Sequence, residues 1–221
     1  MNVLITQPRY FPSFEMLDRI AMADIVVFLD NTMLDTRAFE NRTLIRCDEK
    51  PKWLTMPVSK RKIKDAVIKQ EFVREHRQLI KEYYGEYSQI FEHCLVIEKE
   101  KYIDYMEEHY KKLFEYIGQD KILLKRSQIL YDDSTGKEEI KLLLKELNAT
   151  KYITGDNCLN YGLNQSFLDD IHVELELCNF EERCNDMRMK YDLDARYSII
   201  DTEMMKQKEY RKLSNQVKGQ E

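Results

Sequence analysis

The sequence predicts an α/β fold: a Rossmann-like, open, mostly parallel sheet flanked by helices, with a helical insertion around residues 70–118. Two observations carry that prediction. Short apolar runs that stop at turn residues alternate with stretches of helical period. No internal repeat and no Pro/Gly/Ser-rich linker divides the 221 residues, so 1–221 is expected to form one domain.

Residues 2–6 form an apolar run halted by Gln7-Pro8. Proline lacks an N–H and holds its predecessor extended, so a strand ends there. Phe14, Leu17, Ile20 and Ala21 then recur at helical spacing behind Ser13, an N-cap residue type. Residues 25–29 read as a buried strand ending at Asp30, parallel to the first through a helical crossover. Gln7 and Asp30 then share one rim of the sheet. Residues 53–58 are a further apolar stretch, and residues 59–64 hold four basic side chains, Lys60, Arg61, Lys62 and Lys64, in a loop.

Between 71 and 91 the pattern is a helix broken near Gly85, followed by a brief strand at 95–97. A helix over 102–117 presents Tyr102, Met106, Tyr110, Leu113, Phe114 and Ile117 on one face and ends at Gly118. Residues 122–131 alternate as a strand, and Thr135 with Glu138 forms a capping box for the helix over 140–147. A third parallel strand starts at Tyr152-Ile153 and ends at Gly155-Asp156. A strand over 173–180 and a C-terminal helix over 195–217 complete the chain.

Composition narrows the function. Lys plus Arg number 35 against 40 Asp plus Glu, a net charge of −5, which argues against a protein whose main work is wrapping nucleic acid by bulk charge and leaves room for a local basic patch. No apolar run is long enough for a membrane span, and the apolar opening reaches Gln7-Pro8-Arg9 too soon for a signal-peptide core, so a cytoplasmic protein without membrane insertion is expected. Cys47, Cys94, Cys158, Cys178 and Cys184 are an odd number without a C-x-x-C pair, which suggests reduced, buried thiols. Four scattered histidines lack metal-ligand spacing, so no metal is expected. Ser134-Thr135-Gly136-Lys137 lacks the first Gly and the terminal Ser/Thr of a phosphate loop, and neither G-x-G-x-x-G nor G-x-S-x-G occurs.

Position supplies what motifs do not. Gln7-Pro8-Arg9-Tyr10, Asp30-Asn31 and Gly155-Asp156-Asn157 each follow a predicted strand at its carboxyl end, where open α/β sheets place ligands; the alternative is ordinary caps and turns. Phe39-Glu40-Asn41-Arg42, Lys52 and Trp53 form a second constellation: Arg42 suits a forked pair with phosphate or carboxylate, and lysines add point charge. A solvated loop is the plainer reading. His76 shares a helix face with Phe72, Leu79, Ile80 and Tyr83, which points to a hydrogen-bonded core histidine over a catalytic base.

The run Ile5-Thr6-Gln7-Pro8-Arg9-Tyr10-Phe11-Pro12, then Ala23-Asp24, Leu29-Asp30, Asn41-Arg42 and Trp53-Leu54-Thr55-Met56-Pro57-Val58, resembles in order the WbqC-like family of bacterial polysaccharide gene clusters. His76 ahead of a Tyr-rich helix, Tyr152-Ile153-Thr154-Gly155 with Tyr161, and Tyr197-Ser198-Ile199-Ile200-Asp201 extend the resemblance along most of the chain. Ser13-Phe14-Glu15-Met16, Asn31-Thr32-Met33 and Thr202-Glu203-Met204 depart from the family pattern, which bears on the substrate more than on the fold.

The resemblance implies transfer of an acyl or aminoacyl group, such as glycyl, to the amine of a nucleotide-linked amino sugar in polysaccharide, for example O-antigen, biosynthesis. It implies His76, Asp30 and Arg42 as catalytic residues. Gln7, Tyr10, Asn41, Lys52, Trp53, Gly155, Asp156 and Tyr161 would bind substrate. No tightly bound cofactor is expected. The co-substrate would be an activated donor, either a thioester on an acyl carrier, an aminoacyl-tRNA or an ATP-activated acid. A non-catalytic sugar-nucleotide-binding or accessory protein is the competing class. Nucleotidyl transfer comes third, without a phosphate signature.

Overall fold

The computed structural model describes residues 1–47, 50–59 and 61–179. Lys60, Cys184, the segment 197–201 and the C-terminal helix expected over 195–217 lie outside the described residues.

Five parallel strands form the central sheet: β1 (Asn2–Thr6), β2 (Ile25–Phe28), β5 (Ile122–Lys125), β6 (Lys151–Thr154) and β7 (Glu174–Leu177), in the order β5-β2-β1-β6-β7. Leu4 of β1 pairs with Val26 of β2 on one side and with Ile153 of β6 on the other. A parallel sheet covered on both faces needs apolar side chains pointing both ways, which is why β1 and β2 read as unbroken apolar runs. Val3 and Ile5 enter one core with Ile140, Leu143 and Leu144 of α5 (Gly136–Glu146). Leu4 enters the other, with Phe14, Met16 and Ile20 of α1 (Phe14–Met22).

The second core extends into the predicted helical insertion: α2 (Phe72–Tyr84), α3 (Gln89–Cys94) and α4 (Tyr102–Ile117). Gly85, at φ 51, separates α2 from a 3-10 turn that leads into α3, as its position in the sequence predicts. In α4 the predicted stripe is buried, and Gly118 ends it in the left-handed conformation, with Gln119 N–H donating to the Phe114 carbonyl at 2.9 Å. Each large apolar side chain so buried contributes roughly 1.5–3 kcal/mol. The described cysteines, Cys47, Cys94, Cys158 and Cys178, are buried thiols not joined in disulfides.

Four local expectations are corrected. Residues 42–58 contain a hairpin, β3 (Arg42–Cys47) antiparallel to β4 (Lys50–Thr55), outside the main sheet, where one stretch over 53–58 was expected. Residues 95–97 form no strand: Leu95 N–H caps α3 by donating to the Phe91 carbonyl at 3.0 Å, and Leu95 and Val96 are buried as irregular chain. The strand predicted over 122–131 stops at Lys125, where a 3-10 turn over Arg126–Gln128 begins. Thr135 occupies the N-cap of α5, but its side chain makes no capping hydrogen bond, so the predicted capping box does not form. Gly136, at φ 68, turns the chain into that helix instead.

Candidate functional site

Parallel pairing places the carboxyl ends of β1, β2, β5 and β6 on one edge, so the segments leaving them start side by side. From β1 the chain moves to β2 on one side and later returns to β6 on the other. Such a reversal is where open α/β sheets accept ligands.

The segment leaving β1 is held tightly. Gln7 Nε2 donates to Thr32 Oγ1 at 2.9 Å, which joins it to the segment after β2. Tyr10 N–H donates to the Phe39 and Glu40 carbonyls at 3.2 and 3.1 Å. The Tyr102 hydroxyl bridges the Pro8 and Glu40 carbonyls at 3.0 and 2.7 Å, and Thr43 Oγ1 donates to the Phe11 carbonyl at 2.8 Å. Phe11 itself sits at φ 44, a conformation that costs a non-glycine residue about 1–3 kcal/mol and persists only when its surroundings impose it. Here its ring is stacked on Phe91 at 5.2 Å and meets His109 edge-on at 4.5 Å.

Tyr10 and His76 are both buried, and the Tyr10 hydroxyl shares a 3.0 Å hydrogen bond with His76 Nδ1. Burial pushes the His76 pKa down to about 4, against a smaller opposing contribution from a hydrogen bond with the Thr55 backbone. The imidazole is therefore neutral at physiological pH, and it packs against Phe72 as the apolar helix face predicts.

Asp30 is buried, and its two carboxylate oxygens accept from Ser127 N–H at 3.0 Å and Ser127 Oγ at 2.5 Å. It thereby anchors the 3-10 turn that follows β5. Next to it, Asn31 Nδ2 donates to Glu139 Oε1 at 2.6 Å, and that oxygen also accepts from Arg126 Nε at 2.6 Å. Arg126 is 4% and Glu139 2% exposed, and Arg126 also reaches Asp132 at 2.8 Å. This buried ion-pair network ties the ends of β2 and β5 to the start of α5.

The hairpin residues form a third group. Asn41 is buried, and its Nδ2 donates to the Met56 carbonyl at 2.9 Å. The Arg42 guanidinium donates to the Arg37 and Ala38 carbonyls and lies 4.2 Å from the centre of the Trp53 ring, which in turn packs against Phe39. Lys52 Nζ stands 5.6 Å over the Tyr83 ring of α2.

On the far side of β1, Gly155 is buried and pressed by the Arg19 guanidinium, which would collide with a Cβ there. Asp156 is exposed, and Tyr161, at the end of the 3-10 turn over Asp156–Tyr161, is 75% exposed. Arg19, on α1, is paired with Glu15. Arg9 is half-buried, and its guanidinium stands 5.7 Å over Phe39. Its pKa is lowered, chiefly by desolvation; Tyr110, Arg19, Glu15 and Glu40 are its electrostatic neighbours. Glu40 is 7% exposed, and its Oε2 is buried without a hydrogen-bond partner. Desolvation raises its pKa, opposed by its own backbone N–H, by Arg9 and by Arg42.

A sequence model of the WbqC-like protein family matches residues 7–212 of the 221. The chain belongs to the WbqC-like protein family. No curated protein and no solved structure matches it.

In this WbqC-like chain, Gln7, Asp30, Gly155 and Asp156 follow strand ends on one edge of the sheet, and Tyr161 closes the 3-10 turn that starts at Asp156. Tyr10 and His76 touch beneath that edge. Asn41, Arg42 and Trp53 gather at the base of the hairpin, while Lys52 turns toward α2. Asp30 and His76 are committed to contacts that support the fold. The Arg9 side chain, Arg19, Glu40 and the Arg126–Glu139 pair were not singled out from sequence. An arginine or glutamate on a helix or loop carries no local sign that it will be buried. The one available signal was that Arg9 and Glu40 lie inside stretches already picked out.

Proposed function

We propose that this WbqC-like protein transfers an acyl or aminoacyl group, such as glycyl, to the amine of a nucleotide-linked amino sugar. The observation that carries the reading is Glu40: a buried carboxyl with an unpartnered oxygen, with Arg9 and Arg42 among its electrostatic neighbours, on a segment stitched to the loop that leaves β1. Amide formation requires an amine that can lose its proton on attack and a positive group facing the tetrahedral oxyanion. A carboxyl whose pKa is raised is the better proton acceptor, Arg9 or Arg42 supplies the positive charge, and collapse of the tetrahedral adduct breaks the donor's acyl–sulfur or acyl–oxygen bond, the departing thiol or tRNA hydroxyl taking the proton back from Glu40. Gln7 and Asp156, on the same edge, orient the sugar. Asp30 and His76 act as positioning groups, Asp30 through Ser127 and His76 through Tyr10.

Incubation with UDP- and dTDP-amino sugars and with thioester or aminoacyl-tRNA donors, read by mass spectrometry, tests this. One acyl or aminoacyl increment on the sugar nucleotide is expected, and Glu40→Gln is expected to lower turnover by about 100-fold or more, the scale of losing a positioned general base. No increment with any pair, together with retained sugar-nucleotide binding, would favour the accessory-protein reading. The engagement of both Asp30 and His76 in structural hydrogen bonds is the observation that supports that alternative.

A further inference from the structure

Trp53 is the single tryptophan of the chain, and it is 41% exposed. One open apolar side chain needs no explanation, but Trp53 belongs to a ladder. Arg9 stands 5.7 Å over the Phe39 ring, Phe39 meets Trp53 at 5.4 Å with a tilt of 59°, and the Arg42 guanidinium lies 4.2 Å over the indole. Two rings are thus flanked by two cations. Arg9, Phe39 and Arg42 are each only part-buried, so the ladder borders solvent along its length.

Its members are held in place. Arg42 Nε donates to the Ala38 carbonyl at 3.3 Å, and its guanidinium also donates to the Arg37 carbonyl. Tyr10 N–H donates to the Phe39 and Glu40 carbonyls, and Trp53 pairs with Leu44 across the hairpin. Carbonyls orient a guanidinium without cancelling its charge, and among the described residues neither Arg9 nor Arg42 forms an ion pair with a carboxylate. The exposed Arg37 adds a third positive charge next to them.

Rings open to water beside unpaired arginines offer the two contacts that a nucleic-acid strand seeks, a face for a base and a charge for the phosphate that follows it. A single strand is the match, because bases inside a duplex are already stacked on one another. The hairpin lies outside the main sheet and presents this ladder on its surface. A mononucleotide is usually held in an enclosing pocket, whereas a strand gathers several contacts across an open face. With a net charge of −5, the chain confines such binding to a local patch.

We propose that the Arg9–Phe39–Trp53–Arg42 ladder is a stacking platform for the unpaired end of an RNA, so that the donor is an aminoacyl-tRNA. The choice of donor rests on the transferase reading; the platform does not. Glu40 directly follows Phe39, so a terminal nucleoside seated on that ring lies one residue along the chain from the proposed proton acceptor.

Trp53 is its own reporter. Titrating the full-length protein with a short single-stranded RNA ending in CCA is expected to quench the tryptophan emission, with an affinity that falls as salt rises. The same sequence closed into a duplex, and UDP, are each expected to bind at least about 10-fold more weakly. With dye-labelled RNA followed by anisotropy, Trp53→Ala is expected to weaken binding by about 5- to 100-fold, the scale of losing one stacked base, and Trp53→Phe by less. Should Trp53→Ala fail to fold, Trp53→Phe and the comparison of single strand, duplex and UDP in the unaltered protein still decide. No quenching by the RNA, a duplex bound as tightly as the single strand, or affinity unchanged in Trp53→Ala overturns the platform. UDP bound as tightly as the RNA assigns the ladder to the base of the sugar nucleotide and overturns the RNA assignment. RNA binding through Trp53 without acyl transfer leaves the platform standing and removes the transferase. Transfer from a thioester without RNA binding does the reverse.

Discussion

His76 and His109 are the residues where burial has the clearest chemical consequence. His109 is fully buried; its Nδ1–H donates to the Cys94 carbonyl at 2.8 Å and its Nε2 accepts from Phe11 N–H at 3.4 Å, an arrangement that requires the neutral ring. Desolvation lowers both histidine pKa values to about 4 from an ordinary value of 6.5. A histidine with a depressed folded pKa stays neutral in the fold while the unfolded chain takes up its proton. The stabilisation is therefore complete above pH 6.5 and is lost as pH falls toward about 4. Urea denaturation from pH 7.5 down to 4.5 should show midpoints that fall with pH, the free energy of unfolding dropping by a total on the order of a few kcal/mol. The slope should shrink in His76→Asn, and an unchanged slope would mean that the ring is solvated. Glu40 differs in kind: its unpartnered oxygen has no structural role in view, which is why the proposed chemistry turns on it.

At the scale of elements, the junction of β2, β5 and α5 depends on the Arg126–Glu139 pair. Taking two charges out of water costs several kcal/mol per ion, and their attraction together with added hydrogen bonds, to Asn31, Leu130, Asp132 and Ser134, offsets it. Removing one partner strands the other. Arg126→Met is expected to lower the free energy of unfolding by about 3–5 kcal/mol, while Arg126→Met combined with Glu139→Leu recovers much of that loss. Chemical denaturation of both variants checks this, and equal losses in the single and double variants would count against it. The hairpin β3–β4 escaped the sequence pattern for a related reason. Leu44 and Ile45 are adjacent and both buried, and in β4 only Leu54 is buried, so neither strand shows the alternation by which a half-buried strand is recognised. By contrast β1, β2, α2 and α4 were legible because each buries what its period presents.

For the whole molecule, two cores lie on opposite faces of one sheet, and β1 and β2 contribute to both: Val3 and Ile5 to one, Leu4, Val26 and Phe28 to the other. Neither core can open without exposing strands that the other needs. Thermal unfolding should therefore be a single cooperative transition, with far-UV circular dichroism and aromatic fluorescence giving one midpoint; two separated midpoints would show that the cores melt independently. No helix among the described residues is long and apolar enough to cross a membrane.

Strands β1, β2 and β6, helices α1, α2 and α4, the family, and the loops that border the candidate site were determined by the sequence, because apolar period, proline and glycine act over a few neighbouring residues; the hairpin β3–β4 was not. Which charges those loops surround was decided by tertiary structure alone. Arg19 meets Gly155 because β6 returns beside β1, and Arg126 meets Glu139 because α5 folds back on β5. Burial of a charge depends on partners far along the chain, so no local pattern announces it.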